Sequence, residues 1–281
     1  MRKAIVTNLL YSVNSICYKK TMSFAKLSES LFTRLGEIWW LPLSLILIVC
    51  MGFNMSVISR PIILWVLVVI SVCNGYQFLE QRLYRAEKLS NILPYADLNA
   101  VFAIIAGFLI FRDASTWSFV IAIITFLVIL GFSIDFKKLT MPKSIKLILG
   151  IQALIALETL LTGRFLKSVS DKEYYILYEL IVVVLLLFPI IAKGLFKELK
   201  KTSLPFYGYR MGGALTGHIG RILYLFTVSE LWVVMSVLLS FLWTGITMLF
   251  GRIFLKEKPT KKNLLMGAIV AVLVLLGFVV G

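Results

Sequence analysis

Three cationic or titratable side chains share one apolar stretch of this chain. Residues 206–229 read FYGYRMGGALTGHIGRILYLFTVS and carry Arg210, His218 and Arg221, the histidine being the only one in the sequence. Arg210 and Arg221 are eleven residues apart, close to three helical turns. They therefore fall on one stripe, with Gly213, Ala214 and Gly217 between them and His218 at its edge. A guanidinium does not shed its proton, so both arginines stay charged wherever they sit. A substrate carboxylate or phosphate would match such a group with bidentate geometry. Carboxylates on other helices would instead hold the bundle together, and residue types alone leave both readings open. Glu158, in the middle of IQALIALETLLTG, is the first candidate partner; Glu179, Glu80 and Asp97 are others. Asn14, Asn74, Gln77 and the hydroxyls of Tyr11, Tyr76 and Tyr224 also interrupt apolar runs, where a polar group needs a partner and can line a cavity. Catalytic chemistry has no comparable signal. The sequence shows no Asp-rich motif, no Ser/His/Asp set and no phosphate-binding glycine loop. Cys17, Cys50 and Cys73 have neither metal-ligand nor disulfide spacing. The expectation is a binding site without catalytic residues, metal or cofactor.

The elements that must position these residues are membrane helices. Hydrophobic residues make up 60% of the 281, against about 45–50% in a soluble domain. Ten apolar runs of spanning length lie near 4–18, 36–56, 61–80, 92–111, 117–134, 145–164, 174–193, 206–228, 231–252 and 263–280. The first is read as a retained span, since no small-residue cleavage site follows it. The net charge of +15 is not a nucleic-acid footprint, because the basic residues lie in short connections between spans. Such connections report topology and attraction to anionic lipid. The N-terminus and even-numbered connections hold 7 Lys and Arg, the odd-numbered ones hold 20, and Arg210 and Arg221 complete the 29. Positive loops stay inside, so this bias predicts both termini outside. Pro61 and Pro205 stand where helices start, a position proline tolerates.

The chain also repeats itself. Residues 107–134 read GFLIFRDASTWSFVIAIITFLVILGFSI, and residues 251–280 read GRIFLKEKPTKKNLLMGAIVAVLVLLGFVV. Each is an apolar span, a basic–acidic pair, a short turn with threonine, and an apolar span ending in Leu-Gly-Phe. Arg112–Asp113 and Lys256–Glu257 are offset by 144 residues, as are Thr116 and Thr260. The same offset sets Asn14 on Glu158, Asn74 on His218 and Gln77 on Arg221. Two halves of five spans, 1–137 and 138–281, have opposite orientations because five is odd. That is an inverted repeat, a design common in secondary transporters, with substrate bound near the midplane between the halves. The predicted fold is all-α and integral to the membrane: ten transmembrane helices in two inverted five-helix repeats around a central cavity, with the two charged turns lying away from the substrate.

The charged turn FLKEKPT, its weaker copy FRDAST and the closing spans ending in LGF resemble the EamA-type repeat of the drug/metabolite transporter (DMT) superfamily. Two copies would cover the chain. The resemblance implies a secondary transporter of small metabolites, amino acids, nucleotide sugars or drugs, without a cofactor. Small exporters of that superfamily use an acidic residue in the first helix of the repeat unit to alternate between proton and substrate. Glu158 is similar in position, with Asn14 as its first-half counterpart; a structural ion pair with Arg210 or Arg221 is the competing role. Arg210, His218, Arg221, Glu158, Asn14, Asn74, Gln77 and Tyr11 form the expected substrate site. The expected partners are a small-molecule substrate, a proton or counter-substrate, and membrane lipid, with no nucleic acid. The expected assembly is a monomer or weak homodimer, multi-pass in a membrane of the bacterial inner (plasma) type. A flippase for a lipid-linked precursor is the alternative on the same fold, and an integral membrane transferase is a more distant one.

Overall fold

A computed structural model of the chain describes residues 2–24, 40–52, 59–112, 115–134, 140–165, 169–192 and 203–280. Asp113, of the first charged turn, lies outside the described residues. The described residues form helices joined by short turns, with no β-strand among them. In chain order the helices are α1 (Arg2–Phe24), α2 (Trp40–Met51), α3 (Arg60–Ala86), α4 (Leu89–Ile92), α5 (Leu98–Ala106), α6 (Thr116–Ser133), α7 (Lys143–Phe165), α8 (Asp171–Ala192), α9 (Leu204–Phe254) and α10 (Lys261–Val280). A 3-10 turn, Leu93–Tyr95, links α4 to α5, and a π turn, Gly107–Phe111, extends α5. Among the described residues, four helical stretches are long and apolar enough to cross a membrane: Pro61–Ala86, Leu89–Ile110, Thr116–Ser133 and Lys143–Arg164.

The distribution of polarity is that of a protein in lipid. Leu64, Leu109, Ile110 and Val184 are each at least 63% exposed, whereas Asn8, Ser12, Gln81, Thr125, Glu179, His218 and Thr247 are buried. A soluble domain hides the first kind of residue and displays the second. In a bilayer the apolar side chains face lipid tails, and polar ones turn inward to find partners. The inner hydroxyls do so locally: Ser12 donates to the Asn8 carbonyl, Thr125 to that of Ile121 and Ser133 to that of Ile129.

Local chemistry explains where helices begin and end. Pro61 and Pro205 occupy the first turns of α3 and α9, where a missing N–H costs nothing. Ser115 caps α6 by accepting from Ser118 N at 3.1 Å, and Thr260 accepts from Asn263 N at 3.1 Å at the start of α10. Arg112 and Lys256 both adopt left-handed backbone, with φ of 54° and 55°. Glycine usually fills that position after a helix, so both turns hold a non-glycine residue in a strained conformation.

The α9 helix is not one straight rod. Its 51 helical residues would extend about 76 Å if straight. Yet Gly213 and Gly220 approach Asn14 and Tyr11 of α1, while Thr247 donates to Ser12, also on α1, at 2.9 Å. Gly220 and Thr247 would lie about 40 Å apart on a straight helix, whereas Tyr11 and Ser12 are neighbours. The chain must therefore reverse between Tyr224 and Trp243, giving α9 two arms that both lie on α1. Elsewhere α7 packs on α3 and α5, α6 on α10, and α2 on α8. All of these contacts cross residue 137.

Candidate functional site

A cavity of about 380 Å³ opens between α1, α3, the α4–α5 segment, α7, α8 and both arms of α9. That is within the usual range for a small-molecule site. Its polar lining comes from α1 (Asn8, Tyr11, Asn14), α3 (Asn74, Gln77, Glu80), α7 (Gln152, Glu158, Thr162) and α9 (Arg210, Arg221). Seven of the eight residues singled out in the sequence therefore line one space: Arg210, Arg221, Glu158, Asn14, Asn74, Gln77 and Tyr11. His218 is not among the lining residues. It is buried behind the wall, with Nδ1 3.0 Å from the Tyr175 hydroxyl and 3.6 Å from Glu179 Oε1. Glu179 itself faces the cavity and accepts from Ser44 Oγ at 2.6 Å.

The two arginines have different surroundings. Arg221 Nη2 lies 3.3 Å from Glu158 Oε1, and its guanidinium sits 4.0 Å from the Tyr178 ring centroid. Thr162 also donates to Glu158 Oε1, at 3.4 Å, and meets the Tyr174 hydroxyl at 3.1 Å. This is a buried ion pair with an aromatic floor. The Arg221 Nε hydrogen has no partner among the described residues. Arg210 is buried three turns earlier, its guanidinium 5.0 Å from the Tyr18 ring centroid. Tyr18 in turn meets Tyr84 edge-on at 5.7 Å. The stripe thus carries two arginine-on-tyrosine stations about 16 Å apart along the arm.

The small residues of the stripe serve helix packing as well as the cavity. A Cβ on Gly220 would come within 3.2 Å of the Tyr11 ring, and one on Gly213 within 3.2 Å of Asn14 Oδ1. Both glycines let α1 close on α9; Gly213 also lines the cavity. Asn99 and Gln152 are further polar lining residues, absent from the set expected on sequence grounds. They interrupt apolar runs just as Asn14 does, so the same criterion would find them. The Gln152 amide oxygen is buried without a hydrogen bond among the described residues.

No protein-family profile matches the chain, and no curated protein matches it in sequence. Its chemistry rests on the cavity itself. The lining offers cations, carboxylates, amides and hydroxyls to a polar solute, in a space between helices.

Proposed function

We propose that the chain is a secondary transporter that moves a small polar or anionic metabolite across a membrane by alternating access. The observation that carries this reading is the cavity: about 380 Å³ inside an apolar bundle, lined by charged and amide side chains. Buried polar atoms without partners are costly. Arg221 Nε and Gln152 Oε1, on two residues that line this cavity, are such atoms, without a hydrogen-bond partner among the described residues. In this reading Arg210 takes the anionic group of the solute and Arg221 is held by Glu158.

The proposed architecture is ten helices in two inverted repeats of the drug/metabolite transporter kind. Packing supports it. Let each span of the first half be exchanged for the span five places later. The contacts of α1 with the two arms of α9 then become those of α7 with α3 and α5, while α2–α8 and α6–α10 map onto themselves. The turn geometry adds support, since Arg112 and Lys256, 144 residues apart, share the left-handed conformation. Both termini lie outside in this arrangement, following the charge bias.

The deciding experiment reconstitutes the purified chain in proteoliposomes and follows radiolabelled carboxylates, phosphates and amino acids. The expected result is saturable, vectorial accumulation of an unmodified solute, weakened by Arg210→Gln and partly restored by Arg210→Lys. A chemically altered product without vectorial movement would overturn the reading. For topology, a cysteine added beside Gly281 should react with an impermeant thiol reagent in intact cells; labelling only after lysis would put the termini inside.

A further inference from the structure

The cavity holds three carboxylates, and two already have partners. Glu158 pairs with Arg221 at 3.3 Å, and Glu179 accepts from Ser44 and lies beside His218. Glu80 on α3 lines the same space and makes no hydrogen bond or ion pair with any described residue. Glu80 is half-buried, and a carboxylate partly withdrawn from water, with no cation or donor among the described residues, favours a cationic partner from outside the protein wall.

The neighbourhood indicates what that partner is. Tyr76 and Tyr84 stand one turn before and after Glu80 on α3, and both line the cavity. From α1 comes Tyr18, whose ring meets Tyr84 at 5.7 Å and carries the Arg210 guanidinium at 5.0 Å. The Lys19 ammonium on α1 is taken by the carbonyls of Tyr84 and Glu87. On α5, Asp97 is bonded to Thr244. On α7 and α8 the charged groups facing the cavity are Glu158 and Glu179, and on α9 they are Arg210 and Arg221. Glu80 thus lies among tyrosine rings and the Gln77 amide, at the end of the cavity that also holds Arg210. Ring faces and a carboxylate together suit an ammonium group.

We infer that Glu80 binds a cationic amine on the solute, so that the ligand is a zwitterion with its amine at Glu80 and its anionic group at Arg210. This deepens the transport reading by naming the substrate class, and it rests on that reading only for the movement of the ligand, not for its binding. The two charged groups stand on different helices, α3 and α9, so the separation between amine and acid is the variable to scan.

The test measures thermal stabilisation of the full chain in nanodiscs, because a ligand that binds only the folded state raises its stability. The probes are glycine, β-alanine, γ-aminobutyrate and ε-aminocaproate. Each is set beside the acid that lacks its amine (acetate, propionate, butyrate, caproate) and the amine that lacks its acid. The expected result is stabilisation by at least one amino acid of the series beyond both of its truncated relatives. Glu80→Gln should weaken that zwitterion about tenfold or more, and Glu80→Asp less. Arg210→Gln should weaken the zwitterion while sparing any binding of the simple amine. Equal binding of an acid and its amino derivative would overturn the inference, as would unchanged selectivity in Glu80→Gln. Stabilisation by none of the probes would overturn it too. Binding that strengthens as pH falls without regard to the amine would overturn it in favour of a proton site. Amine selectivity without vectorial uptake in proteoliposomes would leave this inference standing and sink the transport reading alone.

Discussion

The Arg221–Glu158 pair gives the sharpest quantitative prediction. The charged atoms are 3.3 Å apart and the side chains only 16% and 11% exposed. At an effective dielectric of about 20 the attraction is roughly 5 kcal/mol, and water in the cavity lowers it. Removing one partner of a buried pair typically costs about 3–5 kcal/mol, largely because the other charge is stranded. We take about 3 kcal/mol for Glu158→Gln. Arg221→Gln also loses the Tyr178 face, 4.0 Å away, worth about another 1 kcal/mol. The double variant strands no charge, so it should lose less than the sum of the two, with a coupling of about 2–3 kcal/mol. At roughly 2–4 °C per kcal/mol for a chain of this size, Glu158→Gln should melt about 6–12 °C lower and Arg221→Gln about 8–16 °C lower. The assay is a double-mutant cycle by thermal unfolding in nanodiscs without added solute. Additive losses, or a Glu158→Gln variant as stable as the parent, would refute the assignment of the pair to structure. They would return Glu158 to the candidates for a solute-binding role.

Other consequences are smaller and equally direct. At Gly220 alanine should be near neutral, because its helix-propensity gain of about 1 kcal/mol is offset by a Cβ 3.2 Å from the Tyr11 ring. Gly220→Leu should lose about 1–3 kcal/mol in the same unfolding assay by forcing α1 off α9. Lys256→Gly should stabilise the protein by about 0.5–1 kcal/mol, since φ is 55° there and glycine adopts that region freely. Ser115→Ala and Thr260→Ala should each lose about 1 kcal/mol with the hydroxyl cap, measured as lowered melting temperature; losses below a few tenths would mean the two caps are dispensable.

How much of the molecule is legible in its sequence depends on the kind of signal. Hydropathy is written in residue types, so the membrane class and the positions of most described helices can be read directly. The offset of 144 is visible through a charged turn, and left-handed backbone recurs at its two basic residues. Polar residues inside apolar runs are a good guide to the cavity, because in lipid such a side chain has nowhere else to go. What a sequence cannot supply is the pairing. His218 sits on the edge of the arginine stripe, and a helical wheel cannot tell a wall's inner face from the seam behind it; the Tyr175 hydroxyl and Glu179 carboxylate hold it there. Nor does spacing say which carboxylate Arg221 takes, since Glu158 lies 63 residues away in the chain.

The charged turn of the second half shows why a motif and a site are different things. The repeat pattern puts Lys256–Glu257 away from the substrate, and Glu257 is not among the residues lining the cavity. Glu257 Oε2 instead accepts from Ser90 N at 2.9 Å, near the start of α4, and Asn263 Nδ2 donates to the Ser90 carbonyl and to Asn91 Oδ1. An acid at a helix start satisfies an otherwise orphaned N–H and complements the local dipole. These bonds fasten the turn before α10 to the head of α4. They close the end of the bundle where the α3–α4 and α9–α10 connections meet. Motion that opens that end has to break or carry along the Glu257–Ser90 contact. Glu257→Gln, which keeps the shape and removes the charge, should therefore raise accessibility of a cysteine placed at Asn91 to a soluble thiol reagent while changing the melting temperature by no more than about 1 kcal/mol equivalent. Unchanged labelling at Asn91 would mean that the contact is a passive cap and that the end is held shut by apolar packing alone.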